Sequence, residues 1–491
     1  MRTLQRLFSF PVTLASLLVV LTVLTVRGRF DDPDLWWHLK MGQIIWTTHS
    51  IPSYDLFSYT TNHQALVPQE WLAELSIYFA YLLGSYTGLM IWFCLLAALL
   101  IVTGYVLCRA YSSNAKVAFA GALVIWYFGT IGFAIRPQMF SYLLLIAEFL
   151  LIHAGRRQDA RWFFCLPAVF LIWINSHASY ILGIAVAGVY LVSSFFEFEL
   201  GALVSRRWEH DRRRLFMWSL LLSLAALFAN PGGIKQIFYP IDTMMNMKVL
   251  MANVQEWSPL NMTEARGIGL MAVLFCIFLL VAARKAEIYL DELLLLAAGT
   301  WLAVGHIRML IIFGIFAGPI LSRQLANVWE NYEPEKDRIL PNAVFVGLSI
   351  VVAVLAFPNR KNLERQVESV SPVHALNYLR AHRLSGPMLN DYAFGGYLIW
   401  AAPEYPVMMD GRTDLYEWSG FLGEYGRWAT LQEDPNLLLQ KYNVQFCLLS
   451  AHSQMINVLP LLPDWKLVYS DDISRIFIKA SSQSGSPATQ R

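Results

Sequence analysis

Arg29-Phe-Asp-Asp-Pro-Asp-Leu-Trp-Trp-His-Leu-Lys-Met-Gly42 is the stretch on which the reading of this chain turns. It opens directly after an apolar run from about Phe8 to Val26, long enough to cross a bilayer and preceded by Arg2 and Arg6. No small-x-small cleavage pattern follows that run, so it reads as an uncleaved first helix with its N-terminus in the cytoplasm. The polar stretch then lies on the outside. Pro33 suits the first position of a helix with Asp32 as its N-cap. Asp34 and His38, four residues apart, share a face of that helix, and Trp37, Met41, Ile44 and Ile45 are expected to lie on lipid, which describes a helix along the interface. Asp32 reads either as a cap alone or as part of an acidic site. Asp34, one step further in and preceded by Asp31, makes a negative cluster suited to holding a divalent ion or to taking a proton.

Outward from there, composition agrees with a membrane protein: 491 residues, 56% hydrophobic and 15% charged. A net charge of +2 leaves no electrostatic footprint for nucleic acid. Four of the five cysteines sit in apolar runs and the fifth, Cys447, stands alone, so neither a disulfide framework nor a Cys-rich metal site is expected. Apolar stretches near 8–26, 87–108, 117–135, 138–154, 162–174, 178–197, 215–229, 268–283, 288–304, 305–321 and 341–357 predict about eleven crossings. Trp71 to Leu83 is short for a span and reads as a juxtamembrane or re-entrant piece. In this register the cytoplasmic pieces carry 17 Lys and Arg and the longer outside loops before residue 358 carry 8, as the positive-inside rule requires.

The expected organisation is a membrane domain at 1–357, with a first outside loop at 27–86, a soluble extracytoplasmic α/β domain at 358–480, and a disordered Ser/Gly/Pro/Gln-rich tail at 481–491. Within the second domain Pro372 to His382 reads as an amphipathic helix, and apolar runs at 397–400, 405–409, 444–449, 466–469 and 475–479 read as short strands.

The outside turns gather polar residues at helix ends: Glu70 in Pro68-Gln-Glu-Trp71, Arg136, His177, Glu256, and His306 with Arg308. A guanidinium at the hydrocarbon boundary calls for an anionic partner, so Arg136 and Arg308 look for a carboxylate or a phosphate, the alternative being snorkelling to lipid headgroups. With His177 beside them the set favours phosphate. In the tail, Asp410-Gly-Arg412 reads either as a turn closed by an internal ion pair or, with the aromatics of Asn390 to Trp400, as a glycan surface.

An outside loop that opens after the first helix with acidic Asp-Pro-Asp, runs through an amphipathic helix to a Gly and returns through Pro-Gln-Glu-Trp resembles the first loop of GT-C glycosyltransferases. Protein O-mannosyltransferases, lipid A aminoarabinose transferases and oligosaccharyltransferase catalytic subunits share that plan. The motifs Asp32-Pro-Asp-Leu-Trp-Trp-His-Leu, Pro52-Ser-Tyr-Asp-Leu-Phe-Ser-Tyr59, Glu70-Trp-Leu and Gly395-Gly-Tyr-Leu-Ile-Trp with Asp410-Gly-Arg are similar to those of bacterial membrane proteins grouped with these enzymes. The resemblance implies a GT-C-like polytopic helical fold in the bacterial inner membrane. It also implies inverting transfer of a sugar from a polyprenyl-phosphate donor to an extracytoplasmic acceptor. By position it maps the catalytic or metal-binding acid to Asp32 or Asp34, with Mg or Mn as the possible ion. His38, Glu70, Arg136, His177, Glu256 and Arg308 become candidates for substrate binding. Two rivals remain, a transporter of lipid-linked glycans and a non-catalytic subunit of an envelope complex. Transport calls for ionisable groups at mid-membrane, and the middles of the proposed helices are nearly free of them, Glu148 being the main exception, so transport ranks second.

Overall fold

In hydrocarbon every backbone N–H and C=O needs an internal partner, so long apolar runs fold as helices. The computed structural model describes residues 2–61, 63–246, 249, 255–284, 286–330 and 332–480. The expected tail at 481–491, with Lys248 and Lys285, lies outside the described residues. Among these, five helices are long and apolar enough to cross a membrane: Trp71–Ser112, Gln138–Arg157, Ala265–Ala283, Ile307–Ala326 and Ile339–Ala356. Phe10–Val26, Ala115–Gly129, Ala160–Ile174 and Tyr180–Ser193 are apolar but shorter. The Trp71–Ser112 helix is broken: Gly84 (φ −165°, ψ 21°) and Ser85 (φ 52°, ψ −137°) leave helical geometry, separating the short leading piece from the run that follows.

The chain divides into two compact units. The first comprises 1–27, 89–240 and 253–358. Its centre is the helix Leu310–Ala326, buried along nearly its whole length among Ala115–Gly129, Leu290–Gly305 and Ala265–Arg284. Gly121 and Gly318 let two of these helices meet backbone to backbone, since a Cβ on Gly318 would stand 2.8 Å from the Gly121 carbonyl oxygen. Phe10–Val26 packs on Ile339–Ala356, tied by Ser16 to Ser349 (3.2 Å) and by the Asn342 amide to the Phe8 carbonyl (2.9 Å). Leu340 and Leu355 on that last helix are 77% and 80% exposed, a face that suits lipid. Strands β1 (Phe198–Leu200), β2 (Leu203–Ser205) and β3 (Ile288–Tyr289) form a small sheet in that order.

The second unit comprises 28–88, 241–252 and 359–491, so the first loop and the C-terminal segment fold together. Its sheet runs β4 (Met388–Asn390), β5 (Phe446–Ser450), β7 (Ser474–Lys479), β6 (Trp465–Ser470), with β4 parallel to β5 and the other pairs antiparallel. The runs near 444–449, 466–469 and 475–479 are strands, and Val373–Ala381 is the expected helix. Two runs are not strands. Residues 397–400 belong to the helix Tyr392–Ala401, because the Asp391 carboxylate accepts the Ala393 N–H (3.1 Å) and caps a helix start that overrides the β preference of the run. Residues 405–409 make only an isolated bridge, Val407 to Ser58, because Asn390 takes their backbone groups: its amide oxygen accepts the Met408 N–H (2.7 Å) and its amide nitrogen donates to the Met409 carbonyl (2.7 Å). The interfacial helix is also placed differently. Met41 and Ile45, expected to meet lipid, are buried at 4% and 6% exposure, because they share the face of His38 and Gly42, and Gly42 rests on the backbone of Glu74.

Candidate functional site

The polar residues singled out by sequence fall into two groups, one in each unit.

In the second unit, Asp32 Oδ1 accepts the Asp34 N–H (2.9 Å), which is a capping turn, and the helix itself begins at Leu35. Asp34 then sits at the N-cap position, with its carbonyl accepting the His38 N–H (3.3 Å). Its carboxylate lies on Gly411: a Cβ there would fall 1.6 Å from Asp34 Oδ1 and 3.4 Å from the Trp37 indole nitrogen. Only glycine admits that approach. Gly396 does the same for the Pro33 carbonyl, which a Cβ would meet at 2.1 Å, and Trp36 meets the Tyr397 ring edge-on at 5.1 Å.

His38 is 3% exposed and directs Nδ1 at two carboxylates, Glu74 Oε1 at 3.3 Å and Glu70 Oε2 at 3.8 Å. Among the described residues these three are the group of His, Cys, Asp and Glu whose donor atoms come close enough to hold a metal ion. Asp32 and Asp34 are not in it. Glu74 was missed in the sequence, although its signal was there: Glu70 stands just before the helix that begins at Trp71, its carbonyl accepts the Glu74 N–H (3.0 Å), and the two carboxylates lie one turn apart.

A third feature of this unit is an ion network at 3% exposure or less. Arg412 donates Nε and Nη2 to Asp410 (2.8 and 2.7 Å) and Nη1 to Asp55 (2.6 Å), while the Tyr416 hydroxyl donates to Asp410 (2.6 Å). Burial by itself would raise the Asp410 pKa, but the Arg412 charge and these hydrogen bonds hold it below the usual carboxylate value. The Asp410-Gly-Arg turn is thus closed by an internal pair, and Asp55 joins it from 357 residues away.

In the first unit, Arg136 and Arg308 meet at Glu256, with Nη1 atoms 3.4 and 3.5 Å from its carboxylate oxygens. Glu256 keeps 42% of its side chain exposed. Arg308 also donates to the Gln138 amide oxygen and stacks over the Trp257 ring at 5.5 Å. His306 Nδ1 lies 2.9 Å from the Trp257 carbonyl. His177 accepts the Ser179 N–H at Nδ1 (3.2 Å), which places any proton of the neutral ring on Nε2. Desolvation, with the charges of Arg308 and Arg136, pushes its pKa down to about 3, so it is neutral at physiological pH. The two guanidiniums, one carboxylate and one neutral imidazole carry a net charge of +1, which suits an anion whose oxygens match the guanidinium fork.

No family model matches the chain, and no curated protein matches it in sequence. Solved structures do. The chain is similar to the Archaeoglobus fulgidus oligosaccharyltransferase in its apo form, with 12% identity, 89% of this chain and 69% of that one covered, and a TM-score of 0.53. It is likewise similar to the oligosaccharyltransferase AglB from the same organism, solved in complex with an inhibitory peptide and a dolichol-phosphate, with 12% identity, 97% and 74% coverage and a TM-score of 0.53. The chain therefore has a GT-C-like fold. At this level of identity the likeness reaches the fold and no further.

Proposed function

We propose that this chain is an inverting glycosyltransferase that moves a sugar from a polyprenyl-phosphate donor to an extracytoplasmic acceptor. The observation that carries the reading is the pair Arg136 and Arg308, brought together on Glu256 beside a neutral His177, within a fold shared with a protein solved with dolichol-phosphate. In the reaction the acceptor hydroxyl loses its proton to a carboxylate, its oxygen bonds to the anomeric carbon, and the carbon–phosphate oxygen bond breaks with its electron pair going to the phosphate. Asp34 is assigned as the base, with Asp32 shaping the turn that presents it. Arg136 and Arg308 are assigned to the charge that grows on the departing phosphate, and His177 to a neutral donor toward it. Glu256 orients the two guanidiniums, and His38 and Glu70 belong to the loop that bears Asp34. A divalent cation, Mg or Mn, would supply charge neutralisation; Asp32, with one oxygen committed to the Asp34 amide, and Asp34 do not by themselves make a three-donor set.

The accompanying topology has about eleven crossings, a cytoplasmic N-terminus, a membrane domain at 1–357 and an extracytoplasmic domain at 358–480 in a bacterial inner membrane. The test is transfer by the purified protein in proteoliposomes, using a panel of radiolabelled polyprenyl-phosphate sugars and envelope extracts as acceptor. Labelled product that disappears in Asp34→Asn supports the reading. Product formation that is unchanged in Asp34→Asn removes the assigned base, and the absence of any product across the panel removes the transferase.

A further inference from the structure

Two helices border the first loop, Leu35–Thr48 and the one that begins at Trp71. What brings them together is Gly42: a Cβ there would stand 2.2 Å from the Glu74 carbonyl oxygen and 2.9 Å from the Tyr78 Cβ, so the first helix rests directly on the backbone of the second. His38 lies one turn before Gly42 on the same face, and Glu70 lies one turn before Glu74. Close seating of the two backbones therefore sets an imidazole against two carboxylates one turn apart. The Trp37 ring lies against the imidazole at 3.6 Å between centroids.

The three donor atoms lie within 4.8 Å of one another, and His38 Nδ1 is 3.3 and 3.8 Å from its two carboxylate oxygens. Around an ion held by bonds of about 2.0–2.2 Å, neighbouring donors stand roughly 3.0–3.6 Å apart. The His38 and Glu74 atoms already have that spacing, and a small rotation of the Glu70 side chain, 15% exposed, completes it. A divalent ion would balance the two carboxylates that converge here. A nitrogen donor with two carboxylates selects first-row transition ions over Mg or Ca, which prefer all-oxygen sets. Three protein donors leave coordination positions open.

We propose that His38, Glu70 and Glu74 form a binding site for one divalent transition-metal ion, with Mn2+ or Zn2+ as the fitting class. The site stands on this geometry and does not depend on the transferase reading. It moves the ion away from Asp32 and Asp34, leaving Asp34 available as a base.

The experiment uses the full chain in nanodiscs, stripped with EDTA and then titrated with Mn2+, bound ion being read as loss of the free-ion EPR signal and Zn2+ stoichiometry by mass spectrometry. One ion per chain is expected, with binding weakened at least tenfold in Glu70→Gln and in Glu74→Gln and unchanged in Asp34→Asn. Size exclusion and near-ultraviolet circular dichroism report whether each variant is folded, and His38→Gln replaces one that is not. Absence of a stoichiometric ion in the wild-type protein overturns the proposal. So does unaltered binding in both glutamate variants, or loss of binding in Asp34→Asn alone. A chain that binds the ion through these residues and transfers no sugar keeps the site and loses the proposed function.

Discussion

Replacing Arg412 by Met keeps most of the side-chain length and removes the charge from a network that water does not reach. Asp410 and Asp55 are both at 0% exposure and would lose three hydrogen bonds between them, of 2.8, 2.7 and 2.6 Å. Removing one partner of a buried ion pair costs about 3–5 kcal/mol, because the remaining charge keeps its desolvation penalty. For a unit of this size each kcal/mol shifts the melting temperature by roughly 2–4 °C, so a loss of roughly 6–20 °C is expected. Intrinsic tryptophan fluorescence reads it, since Trp428 lies in the core that contains Tyr416. The triple variant with Asp55→Asn and Asp410→Asn should recover much of the loss by removing the stranded charges. Acid gives the same answer from the other side. The folded pKa of Asp410 is depressed below the ordinary 3.8, so its contribution is complete above that value and lost as pH falls through the folded pKa. The wild type should lose stability there and the triple variant should not. A shift under about 3 °C for Arg412→Met would show that the charges are solvated, and the description of a dry network would be wrong.

Gly411→Ala places a methyl group 1.6 Å from Asp34 Oδ1, so the carboxylate must move; transfer should fall at least tenfold while Mn2+ binding at His38 is retained, and equal activity would show that the position of Asp34 is unimportant. Arg308→Gln and Arg136→Gln each remove a charged hydrogen-bond donor from the proposed phosphate site, which should weaken donor binding about 10–100-fold in a titration with a short-chain polyprenyl phosphate. His177 has a folded pKa of about 3 against an ordinary 6.5. The unfolded chain binds the proton first, so stability drops as pH falls from 6.5 toward 3, and His177→Gln should flatten that part of a melting-temperature profile.

What the sequence disclosed and what it withheld divide by distance along the chain. Apolar length marked the helices, and local chemistry marked the Asp32 turn and the Asp410-Gly-Arg412 pair, because each depends on neighbours a few residues away. The meeting of Arg136, Arg308 and Glu256 was legible in part, through the cost of placing a guanidinium near hydrocarbon. The burial of Met41 and Ile45 was not, since it comes from the seating of Gly42 on the backbone of Glu74, an approach between two helices that no local pattern announces. Asp55 as the partner of Arg412 was equally hidden: nothing around Tyr54-Asp-Leu56 says that its carboxylate ends in a dry pocket. The run at 397–400 was misread because strand and helix share its composition, and the deciding signal was the cap at Asp391.

The separation of Asp55 and Arg412 also has a meaning in time. At 5–20 residues per second, the 357 residues between them take roughly 20–70 s to be synthesised. Through that interval the first loop exists without the arginine that closes it. A chain that ends before residue 412 never gains that partner, and its Asp55 keeps a carboxylate without the guanidinium that balances it in the full chain. Truncated products should therefore be less resistant to protease than the full chain, which limited proteolysis of a chain ending before Arg412 would measure.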